Sequence, residues 1–168
     1  GDYYFGEWEK GVPNGQGFIV CNGMKAYEGE FRDGKKFGKG IEVFPDGDYY
    51  EGEFMNGFRE GKGRYNYAVG AFYEGTMKNS KLDGDGTFYW SNGQKYTGKF
   101  DQNKLDSDNA QLDFKNGWTY EGSFKKGYIE GNGKFKNKNN ELIEGYFEKG
   151  EIKRKVIIKK EDFDFEGE

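Results

Sequence analysis

Tyr50-Glu51-Gly52-Glu53-Phe54, followed at Gly61-Lys62-Gly63 by a Gly-x-Gly pair, is the stretch that decides the fold, because the chain repeats it in register. Tyr-x-Gly or its equivalent begins at Tyr4, Tyr27, Tyr50, Tyr73, Tyr96, Tyr120 and Ile143, in steps of 23, 23, 23, 23, 24 and 23 residues. Glycine holds the third position of every unit, and Trp8, Phe31, Phe54, Met77, Phe100, Phe124 and Phe147 hold the fifth. A glycine or turn former sits at the eighth, and Gly-x-Gly follows in all units but the fifth and seventh. A fixed period of this length is the mark of a repeat architecture.

Strand side chains alternate, so positions one, three and five share one face. That face reads aromatic, glycine, aromatic, and the glycine leaves a gap over which a ring can lie. Positions two and four carry Glu7, Glu28, Glu30, Glu51, Glu53 and Glu74 and read as a solvated face. Gly-x-Gly reads as turn chemistry, supplying positive φ and close backbone approach. Asn22-Gly23, Asp46-Gly47, Asn92-Gly93 and Asn116-Gly117 read as tight hairpin turns. The fold expected is all-β: an elongated antiparallel meander, a single-layer twisted sheet of about seven 23-residue β-hairpin repeats, two strands each. Fourteen strands at about 4.8 Å spacing would span ~65 Å.

Composition agrees. Apolar residues make up only 33% of 168, but Phe, Tyr and Trp alone make up 19%, far too aromatic for a disordered chain. Residues 1–168 read as one repeat domain with a degenerate seventh unit and the opening of an eighth at Phe165-Glu166-Gly167-Glu168, cut from a longer array.

These columns resemble the MORN (membrane occupation and recognition nexus) repeat, whose pattern runs close to Tyr-Glu-Gly-Glu-Trp, then Gly, then Gly-x-Gly. The likeness is good over residues 1 to about 150. It implies a twisted single-layer sheet with a groove, as in ciliary spoke proteins, junctophilins, protist cytoskeletal scaffolds, plant phosphatidylinositol phosphate kinases and a SET-domain lysine methyltransferase. The repeat itself implies no enzymatic activity. The family often places His before the Gly-x-Gly, whereas this chain has no histidine and puts Asn14, Phe37, Glu60, Asp83, Asp106 and Glu130 there.

Chemistry-bearing constellations are scarce. No histidine is present to activate Cys21, and carboxylates in fixed columns read as solvated surface, so no catalytic residue, metal ligand or cofactor is assigned. Gly-x-Gly lacks the Lys-Ser/Thr and the helix of a phosphate loop. Asp83-Gly84-Asp85 and Asp106-Ser107-Asp108 lack the spacing of a calcium loop. A net charge of -4 disfavours nucleic acid. Aromatic cages for sugars or choline lean on Trp pairs, and only Trp8, Trp90 and Trp118 occur.

A non-catalytic scaffold remains, holding a peptide or helix of a partner in an aromatic-lined groove. Constant columns should serve the fold and varied ones the partner. The varied aromatic column is Cys21, Phe44, Tyr67, Trp90 and Phe114, and the groove is assigned to Phe44, Tyr67, Trp90, Phe114, Tyr50, Phe54, Tyr73, Tyr96 and Phe100. Glu60, Asp83, Asp106 and Glu130 form its acidic rim. Lys153, Arg154, Lys155, Lys159 and Lys160 are the candidate contacts for an anionic lipid surface, the alternative role being a membrane-targeting or regulatory module of an enzyme elsewhere. A second copy of the chain is a further partner class. A lone cysteine points to an intracellular, cytoplasmic setting, with cytoskeletal or membrane association.

Overall fold

The computed structural model describes residues 1–139 and 141–160, the side chains of 155–160 excepted. The expected opening of an eighth unit at Phe165 lies outside the described residues. From β1 (Tyr3–Glu9) to β15 (Glu151–Lys160) the strands form one open antiparallel sheet in chain order. Fifteen strands appear where fourteen were expected, because the second strand of unit five is broken into β10 (Lys104–Leu105) and β11 (Ser107–Asp113).

The third unit shows how residues make the hairpin. Strands β5 (Tyr49–Met55) and β6 (Phe58–Asn66) are joined by Asn56-Gly57, whose φ angles of 52° and 90° are both positive. That is the turn whose twist matches flanking strands, and it needs residues that tolerate positive φ. Tyr50 then pairs with Tyr65, Glu51 with Arg64 and Gly52 with Gly63. Past Gly52 the register slips, and Phe54 pairs with Arg59, leaving Glu53 opposite a bulge at Glu60-Gly61-Lys62.

This corrects the reading of Gly-x-Gly as a turn. The pair lies inside the second strand, and its members have different duties. Gly61, at φ 92°, makes the bulge. Gly63 lies under the Tyr50 ring, where an added β-carbon would collide with it. The ring belongs to the glycine's own unit. Asp46-Gly47, Asn92-Gly93 and Asn116-Gly117 also differ from expectation. They close four-residue turns in which the glycine N–H donates to Phe44, Trp90 and Phe114 respectively, at 3.0–3.1 Å. Of the four expected there, Asn22-Gly23 alone is a two-residue turn with both φ angles positive.

Central glycines pair with central glycines across the sheet, unbroken from Gly6 to Gly98. In unit five Ala110 takes the next place, its methyl 2.8 Å from where a β-carbon on Gly98 would stand, and the row resumes at Gly122. Over this row lie the tyrosines. Tyr50, Tyr73, Tyr96 and Tyr120 are completely buried. Each hydroxyl donates to the carbonyl three residues on: Tyr50 to Glu53 at 3.1 Å, Tyr73 to Thr76 at 2.9 Å, Tyr96 to Lys99 at 2.9 Å. Each ring meets a phenylalanine edge-on in its own unit or the next. Tyr27 meets Phe31 and Phe54, both at 5.1 Å, and Tyr96 meets Phe100 and Phe124, both at 5.2 Å. Such pairs contribute ~1 kcal/mol each beyond the area they bury, so neighbouring units stabilise one another.

Two outcomes follow. Gly63→Ala should cost about 1–3 kcal/mol in urea unfolding, because nothing above it can yield. Glu51→Ala, exposed on the opposite face, should change stability by no more than ~0.5 kcal/mol. Burial pushes the phenols of Tyr50, Tyr73, Tyr96 and Tyr120 up to about 12. The folded state holds these protons more tightly than the unfolded state, so their stabilisation is complete below about pH 10 and lost as pH rises toward 12. Tyrosinate absorbance and circular dichroism should therefore change together across that window.

Candidate functional site

Five residues assigned to a groove belong to the core instead. Tyr50, Tyr73 and Tyr96 have no exposure, and Phe54 and Phe100 have 3% and 4%. Their rings are consumed by packing over glycine and against the next unit, so a partner cannot reach them in this conformation. Phe44, Tyr67, Trp90 and Phe114 are different, being half-buried at the rim of the same face. Each opens the turn that leads into the next unit, as in Phe44-Pro45-Asp46-Gly47 and Trp90-Ser91-Asn92-Gly93.

Phe44, Tyr67 and Trp90 are joined by residues that the sequence reading did not single out. Tyr65 and Phe88 stand opposite Tyr50 and Tyr73 in the strand register, which puts them on the aromatic face. Ring centroids run Phe44 to Tyr65 at 5.8 Å, Tyr65 to Tyr67 at 4.6 Å, Tyr67 to Phe88 at 5.6 Å and Phe88 to Trp90 at 4.8 Å. Phe114 and Phe135, 6.0 Å apart, form a second stretch beyond unit five, where Leu112 holds the inner place. The result is a ladder of half-exposed rings with one outer rung per unit. The Tyr65 hydroxyl donates to Asp48 at 2.9 Å, and burial and that carboxylate both raise its pKa. Burial likewise raises Tyr67, with Asp48 adding to it and Arg59 opposing.

The acidic column before the bulge is mostly occupied by the fold. Glu60 accepts from the backbone N–H of Asn79 at 2.8 Å, Asp106 from Lys126 at 3.2 Å and Glu130 from Lys149 at 2.9 Å. Each acceptor thereby grips the first residue of the next unit's turn. The turn's second residue donates to the preceding unit as well, as from Gly57 to Lys36 and from Gly150 to Ile129, both at 2.9 Å. Burial alone would lift the Asp106 carboxyl, but the Lys126 N–H and the Lys125 ammonium hold it below its ordinary value. Asp83 makes no such bond among the described residues. Position four is no idle solvated face either. The carboxylates of Glu7, Glu30 and Glu53 accept the N–H between the two glycines of Gln16, Lys39 and Lys62, at 2.8, 3.1 and 2.7 Å.

A concavity lies on the other face of the sheet. It holds about 590 Å³ between Glu28, Lys39, Ile41, Glu51, Glu53 and Lys62, over the glycine row. Rings and concavity are thus on opposite sides, where the sequence suggested one aromatic groove. Of the basic residues at the C-terminal end, Lys153 pairs with Glu151 at 2.7 Å and Arg154 is exposed. The side chains of Lys155, Lys159 and Lys160 lie outside the described residues. No cluster suited to a metal ion occurs among the described residues.

One polar group sits within the aromatic face. Glu42 stands opposite Tyr27, where other units place Ile19, Tyr65, Phe88 or Phe135. It pairs with Lys36 and with Arg59, the latter at 3.5 Å, and all three side chains are at most 23% exposed. The Arg59 guanidinium lies 5.1 Å from the centre of the Phe44 ring and 5.3 Å from that of Tyr65. Lys36 and Arg59 in turn occupy a column that holds Leu82, Leu105 and Ile129 in later units. Charges thus replace aliphatics together.

Fold and site define a β-hairpin repeat protein with a ring-lined face and no assembled reaction centre among the described residues. The chain belongs to the MORN repeat family, which it matches at residues 4–23, 27–49, 50–72, 73–95 and 120–141. Unit five, whose Gly-x-Gly is lost, falls between the matched stretches. Among solved structures, the chain is similar to the TCP domain of SAS-4 (dCPAP) of Drosophila melanogaster, solved in complex with a proline-rich motif of Ana2 (dSTIL). The identity is 16% and the TM-score 0.49, over 79% of this chain and 73% of that one. Nothing about this chain's partner follows from that likeness. A comparison with curated protein sequences gives no match.

Removing one member of the charged group should be worse than removing all of it. Glu42→Leu should cost ~2 kcal/mol, because Arg59 and Lys36 lose their counter-charge in a half-buried setting. Glu42→Leu with Arg59→Leu and Lys36→Leu should recover most of that loss in thermal unfolding.

Proposed function

We propose that the chain is a non-catalytic scaffold that holds a segment of a partner protein on its aromatic ladder, in a cytoplasmic assembly of cytoskeletal, ciliary or membrane-associated kind. The observation that carries this reading is the ladder itself. Trp90 and Phe114 pack against the edge of the glycine-tyrosine core, and they and Tyr67 all keep part of their rings open to solvent at its rim. Aromatic rings in contiguous, half-exposed rows are the groups that dominate binding energy at protein interfaces. Membership of the family supports a binding role, because the repeat contributes structure and no reacting group. The acidic column makes a smaller contribution than the sequence suggested, since Glu60, Asp106 and Glu130 are committed to backbone donors.

The test is selection of random displayed peptides on the immobilised chain. Selected peptides should lose about 30-fold in affinity on Trp90→Ala or Tyr67→Ala, corresponding to ~2 kcal/mol, with unfolding curves retained. Peptides indifferent to both substitutions would move the site elsewhere. Failure to select any peptide, with binding to anionic vesicles that vanishes on replacing Lys153, Arg154 and Lys155 by Gln, would replace the scaffold reading with a lipid one.

A further inference from the structure

We infer that the occupant of the ladder is a proline-rich segment in the polyproline II conformation. This deepens the scaffold reading and rests on it. The ladder sets a distance. One rung per unit means one rung per two strands, about 9.6 Å. Ring steps of 5.8 and 4.6 Å keep Phe44 within about 10 Å of Tyr67, and steps of 5.6 and 4.8 Å keep Tyr67 within about the same distance of Trp90.

An occupant lying along the ladder must present the same face at that interval. An extended strand repeats its face every two residues, at ~6.7 or ~13 Å, and fails. A polyproline II helix repeats every three residues, at about 9.3 Å, and an α-helix nearly repeats every seven, at about 10.5 Å. Spacing alone leaves these two.

Hydrogen bonding separates them. Neither the Tyr67 hydroxyl nor the Trp90 indole N–H has a partner among the described residues, whereas Tyr65 beside them is bonded to Asp48. Two free donors therefore stand on an apolar row. An α-helix has spent its carbonyls on itself, but polyproline II has no internal hydrogen bonds and offers every carbonyl outward. Proline rings also stack on aromatic faces without losing chain entropy, because the segment is already ordered.

The experiment uses the whole chain and dye-labelled peptides read by fluorescence anisotropy. The probe is an oligoproline of about twelve residues, longer than the three joined rungs Phe44, Tyr67 and Trp90 require. A Gly-Ser peptide of equal length and an amphipathic Leu/Lys helix serve as comparisons. The oligoproline should bind, more tightly than a half-length version, and the Gly-Ser peptide should not. Tyr67→Phe and Trp90→Phe remove only the donors and keep the rings, and each should weaken binding about fivefold with unchanged melting. Oligoproline that does not bind, or binds with an affinity that neither substitution moves, overturns the inference. If the helix alone binds, and Tyr67→Ala or Trp90→Ala abolishes it, the scaffold survives with a different occupant. If neither peptide binds and selection also yields none, both readings fall.

Discussion

Everything in the sheet depends on one contact, a phenol ring lying flat across two facing glycines. Tyr50 can reach over Gly52 and Gly63 only because neither has a side chain. From that position its hydroxyl finds the carbonyl of Glu53 beside the bulge, and its edge finds Phe54. A single-layer sheet has no second layer to bury its apolar face. Laying rings down on the sheet itself, instead of standing them upright, removes that need. It lets a chain with few aliphatics keep a dry core one side chain deep.

Given that contact, the bulge and turn become necessary partners. The bulge at Gly61 displaces one strand so that Glu53 faces it alone, and the carboxylate then answers the Lys62 N–H. The turn at Asn56-Gly57 reaches back to the Lys36 carbonyl, and Glu60 reaches forward to the turn after it. Each unit is therefore tied to the next by ring contacts on the face and by polar bonds at the turn. Units with substitutions keep the scheme by exchanging groups. Thr76 stands where the acid would be in unit four, and Ala110 where the glycine would be in unit five.

Columns that change least were legible in the sequence, because their period exposes them: the tyrosine, replaced only at Ile143, the third-position glycine, and the fifth-position aromatic, replaced only at Met77. Their facing was legible too, from strand alternation. What could not be read was which strand residue stands opposite which. Ile19, Glu42, Tyr65, Phe88, Leu112 and Phe135 share one place but no chemical type, so only the register displays them as a column. The same blindness hid the duty of Glu60, whose partner Asn79 lies nineteen residues on and offers a backbone group with no signature. Conversely, counting Tyr50, Tyr73 and Tyr96 as groove residues failed because a strict column is a packing column. Variation at Tyr67 and Trp90 was the better guide to exposure.

The row of facing glycines has a consequence for size. Because each unit touches only its neighbours, nothing in one unit senses how many others exist. Each added hairpin lengthens the ribbon by about 9.6 Å and adds one rung, whatever the length already reached. Such a chain is a ruler graduated in hairpins. Its reach can be altered by duplicating or deleting 23 residues, with repair needed only at the two seams.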